Sequence, residues 1–454
     1  AEPRPEGLGK GNQPPVMPHD GAGWGRPELA LSAAKGFPTQ DKEVKPMYDA
    51  IVVGARVAGA PTAMLLARTG YKVLLVDRDT FPSDIMSTHY IHLPGVAKLK
   101  RWDLLDTVLA TNCPPLRRFS VSWGETGEIA LSGLAPPFDG ADTALCPRRT
   151  VLDKVLVDAA VTAGAELREG FVVEDVLTEG GAITGIRGHE KGGPSVAEQA
   201  RIVVGADGIH SVIARRVQPA EYNVRPALGC GYYAYYSGVA MDGAEVHFRD
   251  DCIIFGFPTN DDRTCVVVEY PHSRFQEVRA DIQGSVNRSL TLAPDFAERV
   301  MAGRREERFI GTGDLPNFFR RPYGPGWALV GDAGYHKDPV TGNGIMDAFI
   351  DAELLADAID AGFSGRTPLD HALAGYEQTR NERAMPLYEF TCQQVSFQPM
   401  PPEQKLLLQA LRGNEEDTNR FLGLSGGSVK LAEFMTPENL GRIIAQAQQR
   451  AQVA

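Results

Sequence analysis

Three short stretches of this 454-residue chain hold residues whose types and spacing could do chemistry. The first is Gly54-Ala55-Arg56-Val57-Ala58-Gly59, set between the apolar run Tyr48 to Val53 and a helical pattern reaching Arg68. A helix N-terminus offers unpaired N–H groups and the positive end of the helix dipole, so a pyrophosphate binds there favourably. Gly54 permits the tight turn, and Gly59 lets helix and strand approach. Arg56 stands where the usual motif has its middle glycine. Its side chain restricts backbone approach to phosphate, yet an arginine can swing out and contribute charge. Asp77, with Arg78 after it, ends the next apolar run. Its distance from Gly54 suits an acid that binds a ribose hydroxyl.

The second stretch is Val203-Val204-Gly205-Ala206-Asp207-Gly208, followed by Ser211 and Arg215. The third is Val330-Gly331-Asp332-Ala333, then Pro339, then Gly342-Asn343-Gly344-Ile345 at a helix start. Both place an aspartate directly after a buried strand, where a carboxylate can accept ribose or ribityl hydroxyls. The Gly342-Asn343-Gly344 turn aims helix N–H groups at whatever lies above it, which suits an electron-rich ring.

The elements that must position these residues follow from apolar patterning. Tyr48–Val53, a helix from Val57 to Arg68 capped by Gly70, and a strand from Lys72 to Asp77 make a β-α-β unit with a right-handed crossover. Arg118 to Trp123 and Glu128 to Ser132 flank a Gly-Glu-Thr-Gly turn and read as a hairpin. Arg149 to Ala163 reads as a helix, Phe171 to Gly181 as a strand and turn, and Arg201 to Gly205 as a buried strand. Between about residues 217 and 308, strand-like segments rich in Tyr, Phe, Val and Ile crowd together, as in an antiparallel sheet. Trp327 to Val330 returns to buried-strand character, before a helix from Gly344 to about Ala361. After Leu369 the pattern is helical, with breaks at Pro401-Pro402 and Gly423 to Gly427. The expected fold class is α/β: a Rossmann-like domain, an inserted and mostly antiparallel sheet, and a C-terminal helical region. The dinucleotide domain is expected to be discontinuous (47–117, 145–216 and 309–370), with the sheet domain at 118–144 and 217–308 and the helices at 371–454.

Residues 1–46 hold eight prolines and seven glycines without apolar periodicity, and read as an extension preceding Met47. No apolar run approaches the roughly 20 residues of a membrane helix, so a cytoplasmic protein without a membrane span is expected. The net charge of -12 and the isolated basic pairs disfavour nucleic acid as a partner. Six scattered cysteines offer no metal-ligand spacing, so no metal site is expected and the thiols are read as reduced and structural.

The three glycine–aspartate stretches, in this order and spacing, resemble the flavoprotein hydroxylase superfamily, which includes aromatic-ring hydroxylases, flavin-dependent halogenases and geranylgeranyl reductases. The resemblance spans about residues 47 to 370. It implies non-covalent FAD, with Gly54, Gly59 and Asp77 holding the ADP half and Ala55, Arg56, Arg78 and Val173 as further cofactor-binding residues. By the same resemblance Asp207 and Gly208 lie near the pyrophosphate. Arg149, in an Arg-x-x-Leu pattern with Leu152, approaches the flavin chain, and Gly331 and Asp332 meet the ribityl chain. Pro339, Gly342, Asn343, Gly344 and Ile345 border the isoalloxazine ring. The family chemistry runs through a C4a-hydroperoxide formed with molecular oxygen, which needs a dry pocket. NADPH or NADH visits as transient reductant, or a separate flavin reductase serves as partner.

An inserted sheet could form such a pocket for a small apolar substrate, aromatic or polycyclic, that is hydroxylated or epoxidised. Tyr233, Tyr235, Phe255 and Phe257 are the candidate lining, with Tyr233 and Tyr235 sharing one strand face. His89, His336 and Pro339 are the candidate catalytic residues beside the ring, the histidines as proton relays or donors to a substrate oxygen; His92 is a further loop histidine. The four tryptophans fit no Trp-x-Trp-x-Ile-Pro segment, which disfavours halogenation. Ile254-Phe255-Gly256-Phe257-Pro258 resembles the aromatic-x-Phe-Pro signature of geranylgeranyl reductases, which keeps alkene reduction open. A third reading is a non-catalytic FAD-binding protein whose helical tail, with Leu406, Leu407, Leu408 and Leu411 at helical spacing, packs inward or forms a dimer face.

Overall fold

Alternation along the first strand sets the architecture. Ala50 and Val52 point to one side of a parallel sheet, Ile51 and Val53 to the other, and all four are buried. The structure, a computed structural model, describes residues 47–87 and 89–453; the expected extension, 1–46, lies outside the described residues. The parallel core orders Trp327–Leu329, Val196–Gly205, Tyr48–Val53, Val73–Val76 and Glu166–Arg168, with Tyr323–Gly324 antiparallel at one edge.

One face, carrying Ala50, Val52, Leu75, Ile202, Val204 and Ala328, is covered by the helices Gly59–Arg68, Arg149–Thr162 and Gly344–Phe363. The other face, with Ile51, Val53, Leu74, Val76 and Val203, is covered by an antiparallel meander, Phe171–Glu179 and Ala182–Glu190, leading into Val196–Gly205. The sequence pattern does not announce the second meander strand. Its Gly185 and Gly188 and its exposed polar positions dilute the apolar alternation that marks a strand.

The second sheet orders Arg304–Arg305, Gly229–Ser237, Arg263–Pro271, Ile253–Thr259, Ala244–Phe248, Phe119–Trp123 and Ile129–Gly133. Every pairing along this order is antiparallel except Ala244–Phe248 with Phe119–Trp123. The Phe119–Trp123 hairpin joins the sheet from a distant part of the chain. Tyr232 and Tyr236 face the helices Ile282–Leu290 and Pro294–Ala302, while Tyr233 and Tyr235 face the dinucleotide domain.

The C-terminal helices Pro402–Leu411, Glu415–Ser425 and Pro437–Val453 turn inward. Leu407, Leu408, Leu411, Leu422, Phe434 and Ile443 are buried against Val121, Trp123, Leu131 and Val246 of the second sheet. Intramolecular packing therefore absorbs these leucines, whereas Leu406 stays exposed. All six cysteines are free and buried, and no helix among the described residues is long and apolar enough to cross a membrane. Leu408→Ala is expected to lower stability by about 2–5 kcal/mol, the range for emptying a buried leucine site. Thermal unfolding monitored by circular dichroism checks this, and an unchanged melting temperature would mean the helices do not pack here.

Candidate functional site

The three stretches meet at the C-terminal ends of three adjacent strands, because Val53 pairs with Gly205 and Gly205 with Leu329. Ligands of open α/β sheets bind in this position. Ala206 donates its N–H to Val53 O at 2.8 Å, and Val330 donates to Gly205 O at 3.0 Å. Gly54, at φ +101°, runs so close to the second stretch that a Cβ would lie 2.4 Å from Ala206 O. Gly331, at φ +60°, packs on the first stretch, its would-be Cβ 2.7 Å from that of Ala58. Side chains are excluded where these backbones cross, which leaves a cradle of N–H groups at the Gly59 helix end.

Asp77 is buried beneath the first loop. Its Oδ2 accepts the Ala55 N–H at 2.7 Å and its Oδ1 the Asp79 N–H at 2.9 Å, while burial raises its pKa against those bonds. Arg78 is exposed beside it, and Val173 is buried in the meander. Burial raises the Asp207 pKa too. Its carboxylate caps the helix Val212–Val217, accepting Ser211 Oγ at 2.5 Å and Val212 N at 2.6 Å. Asp332, by contrast, is exposed on a single helical turn after the third strand, and has no protein partner among the described residues.

Arg56 is not swung out. Its guanidinium donates to Asp153 Oδ2 at 2.7 Å, Asp79 Oδ2 at 2.8 Å and Ser83 Oγ at 2.7 Å. Arg149 meets the same Asp153 carboxylate from the helix start, through Nε and Nη2 at 2.9 and 3.0 Å. The fully buried Asp153 thus fastens two arginines beside the loop. It does not stand out in the sequence, where its one signal is the i, i+4 spacing from Arg149 within a helix.

The last stretch forms a single turn, Pro339–Thr341, ending at Gly342 with φ +66° before the helix Gly344–Phe363. Asn343 is buried and donates to Ser425 O at 2.7 Å, and Ile345 is buried beside it. This turn is one wall of an apolar cavity of about 1010 Å³. The rest is built by Tyr90, Phe119, Trp123, Phe255 and Phe257, closed by Leu407, Phe421 and Leu424 of the C-terminal helices. Its polar lining includes His92, whose Nε2 lies 2.8 Å from Thr341 O, and the ion pair of Arg225 with Glu389. A carbonyl only accepts, so Nε2 carries the proton, and burial pushes the His92 pKa down to about 4. His92 is neutral at physiological pH.

Phe255, Phe257 and Pro339 therefore line the cavity, whereas Tyr233 and Tyr235 do not. The two tyrosines are packed in the core around His89, whose Nε2 is 2.5 Å from the Tyr235 hydroxyl. His89 is fully buried, pushed down to about 3 by burial, and outside the cavity. His336 also lies away from it, on the small sheet with Asn317–Arg320, its Nδ1 bonded to Pro316 O and its ring stacked on Phe318. The sequence does not give these placements, because strand alternation and loop position do not reveal which sheet face meets the partner domain.

An adenine dinucleotide suits these residues. The side-chain-free crossing at Gly54, the helix end behind it, the unpartnered Asp332 and the paired arginines match pyrophosphate, polyol and charge in turn. Residues 47–227 match the FAD binding domain family, and the chain is an FAD-dependent oxidoreductase. Digeranylgeranylglycerophospholipid reductase 2 of Methanopyrus kandleri is 28% identical over 331 residues, covering 69% of this chain and 78% of that protein. Tryptophan 2-halogenase of Chondromyces crocatus is 24% identical over 346 residues, covering 72% of this chain and 64% of that protein. Among solved structures, the myxobacterial chondrochloren halogenase CndH aligns with a TM-score of 0.71 at 20% identity, covering 88% of this chain and 97% of that one. PqsL of Pseudomonas aeruginosa, described as a probable FAD-dependent monooxygenase, aligns with a TM-score of 0.65 at 24% identity, covering 83% of this chain and 99% of that one. These likenesses establish the fold. Gly54→Ala is expected to abolish flavin content, because the methyl meets Ala206 O and the φ is unsuited to alanine. The visible spectrum of the purified variant checks this; a fully yellow protein would contradict the crossing.

Proposed function

We propose that the chain is a monooxygenase that hydroxylates or epoxidises an apolar aromatic or polycyclic molecule, with NADPH or NADH as reductant. The observation carrying this reading is that the Pro339–Gly342 turn walls the cavity and leads into the helix Gly344–Phe363, whose Ala348 lies 3.9 Å from the would-be Cβ of Gly331 in the strand-end cradle. The redox end of a dinucleotide held by Gly54, Asp77 and Asp332 thus abuts an apolar chamber. Bound FAD supplies two-electron exchange with the nicotinamide and with molecular oxygen. One oxygen atom enters the substrate and the other leaves as water.

The residues of the chain hold, orient and exclude. Asp332 binds the ribityl hydroxyls, and the arginines on Asp153 offset phosphate charge. The Asn343–Gly344 helix end stabilises negative charge on the ring. Phe119, Trp123, Phe255, Phe257 and Phe421 keep water from the reacting atoms. His92, neutral and bonded to Thr341 O, is a polar group of the cavity wall beside the turn, and orients a substrate hydroxyl or carbonyl.

A second reading, alkene reduction on a prenyl chain, is favoured by the 25–28% identity to digeranylgeranylglycerophospholipid reductases and by the largely apolar cavity wall. The test that separates the two is anaerobic reduction by NADPH or NADH followed by mixing with oxygen. Monooxygenation predicts nicotinamide-driven reduction and oxygen-dependent incorporation of labelled oxygen into an aromatic ligand. Product formed without oxygen would instead establish the reductase. Asp332→Ala is expected to weaken FAD binding by about 10–100-fold, the worth of a charge-assisted hydrogen bond, while the fold persists. Fluorescence titration with FAD measures it, and unchanged affinity removes Asp332 from the site.

A further inference from the structure

Two carboxyl groups meet in the core beside the Pro339–Gly342 turn. Glu269, on the strand Arg263–Pro271, is 3% exposed, and Asp338, directly before Pro339, is 1% exposed. They converge over Gly229, whose would-be Cβ lies 2.3 Å from Glu269 Oε1 and 2.9 Å from Asp338 Oδ2. Neither of those two oxygens has another hydrogen-bond partner. Asp338 is otherwise well held: its N–H donates to Asn317 Oδ1 at 2.8 Å, and its Oδ1 accepts the Val340 N–H at 3.0 Å.

Two carboxylates in contact and away from water cannot both be ionised, so such a pair shares one proton. Burial and the neighbouring Asp338 charge raise the Glu269 pKa well above the carboxylate range, and burial raises that of Asp338. The Val340 N–H favours charge on Asp338, which makes Glu269 the donor and Asp338 the acceptor. The groups around the pair offer little to replace that proton. The thiol of Cys230 faces it from the adjacent strand, and that of Cys392 from the long helix Leu369–Gln394. Arg274 and Arg225 bear on those thiols, and His336, two residues away, bears on Asp338.

We propose that Glu269 and Asp338 form a one-proton clasp that ties the second sheet to the Pro339–Gly342 turn, and that loss of this proton releases the turn from its working position. They are positioning residues, and the inference rests on the reading that this turn borders bound FAD. The clasped pair keeps a proton that carboxyls of an unfolded chain release at about pH 4. Its contribution is therefore fully present at low pH and is lost as pH rises through the raised pKa of the pair.

The test is titration of the full-length protein with FAD at every pH above the ordinary carboxylate range, about pH 4, over which the fold persists, on the wild type, Glu269→Gln and Asp338→Asn. The wild type is expected to lose FAD affinity reversibly, about tenfold, as pH rises. Glu269→Gln keeps an N–H donor toward Asp338 without the titrating proton, so its affinity stays near the low-pH wild-type value throughout. Asp338→Asn removes the like charge and is likewise flat, which keeps the test open should Glu269→Gln fail to fold. A wild type that binds FAD equally across this range overturns the clasp. So does a pH slope that survives in a variant, which would assign it to His336 or the thiols. A wild type that takes no FAD at any pH would instead sink the proposed function.

Discussion

Backbone crossing at the strand ends is the constraint on which the rest of the molecule depends. Three parallel strands finish level with one another, and each is followed within two residues by glycine or alanine: Gly54-Ala55, Ala206, Gly331. With a would-be Cβ 2.4 Å from Ala206 O at Gly54, no side chain can enter without prising the strands apart. The consequence is electrostatic as well as steric. N–H groups and the Gly59 helix end are left facing outward where an anion can reach them, and Asp207 and Asp332 come just beyond the crossing.

Charge burial then fixes what surrounds that crossing. Asp153 is fully buried and would be strongly destabilising alone, but it is enclosed by Arg56 and Arg149 at hydrogen-bonding distance. A similar arrangement sits on the far side of the Pro339–Gly342 turn. There Asp347 is bound by Lys337 and Arg383, and Arg383 also reaches Asp351 at 2.8 Å. Burial works against the Asp347 charge, yet the two cations outweigh it and hold its carboxyl below the usual range. Lys337 and Asp338 are adjacent, so the turn is held on one side by an ion pair and on the other by Glu269. Such directional, buried contacts specify a position more sharply than apolar packing does.

The parts legible in the sequence are those governed by local rules. The strand runs before Gly54, Asp207 and Asp332, the Phe119–Trp123 hairpin and the Gly344 helix all follow from periodicity, turn chemistry and motif spacing. What is not legible depends on which faces meet. Tyr233 and Phe255 share strand character, but only the strand Ile253–Thr259 turns Phe255 and Phe257 to the cavity. Asp153 has Arg149 within one helical turn, yet Arg56, its other partner, comes 97 residues earlier and nothing local announces it. Nothing local in the sequence marks Glu269 and Asp338 as partners, since each meets the other only through the fold. His336 reads as catalytic from its place between two motifs, and its bond to Pro316 O is a tertiary fact.

The C-terminal helices show how the two kinds of information combine. Their leucine spacing allows either an inward face or a dimer face, and the choice is made by contacts elsewhere in the chain. Asn419 accepts the Leu134 N–H at 2.9 Å on the hairpin, and Asn343 donates to Ser425 O at 2.7 Å from the turn before the Gly344 helix. Between these anchors lies the cavity roof of Leu407, Phe421 and Leu424. The helix Glu415–Ser425 is therefore fastened near its middle to the residue after the hairpin and at its C-terminal end to Asn343, after the Pro339–Gly342 turn. The Pro339–Gly342 turn walls the chamber directly and its neighbour Asn343 holds the roof helix through one hydrogen bond, so the position of the turn and the shape of the chamber are coupled in this fold.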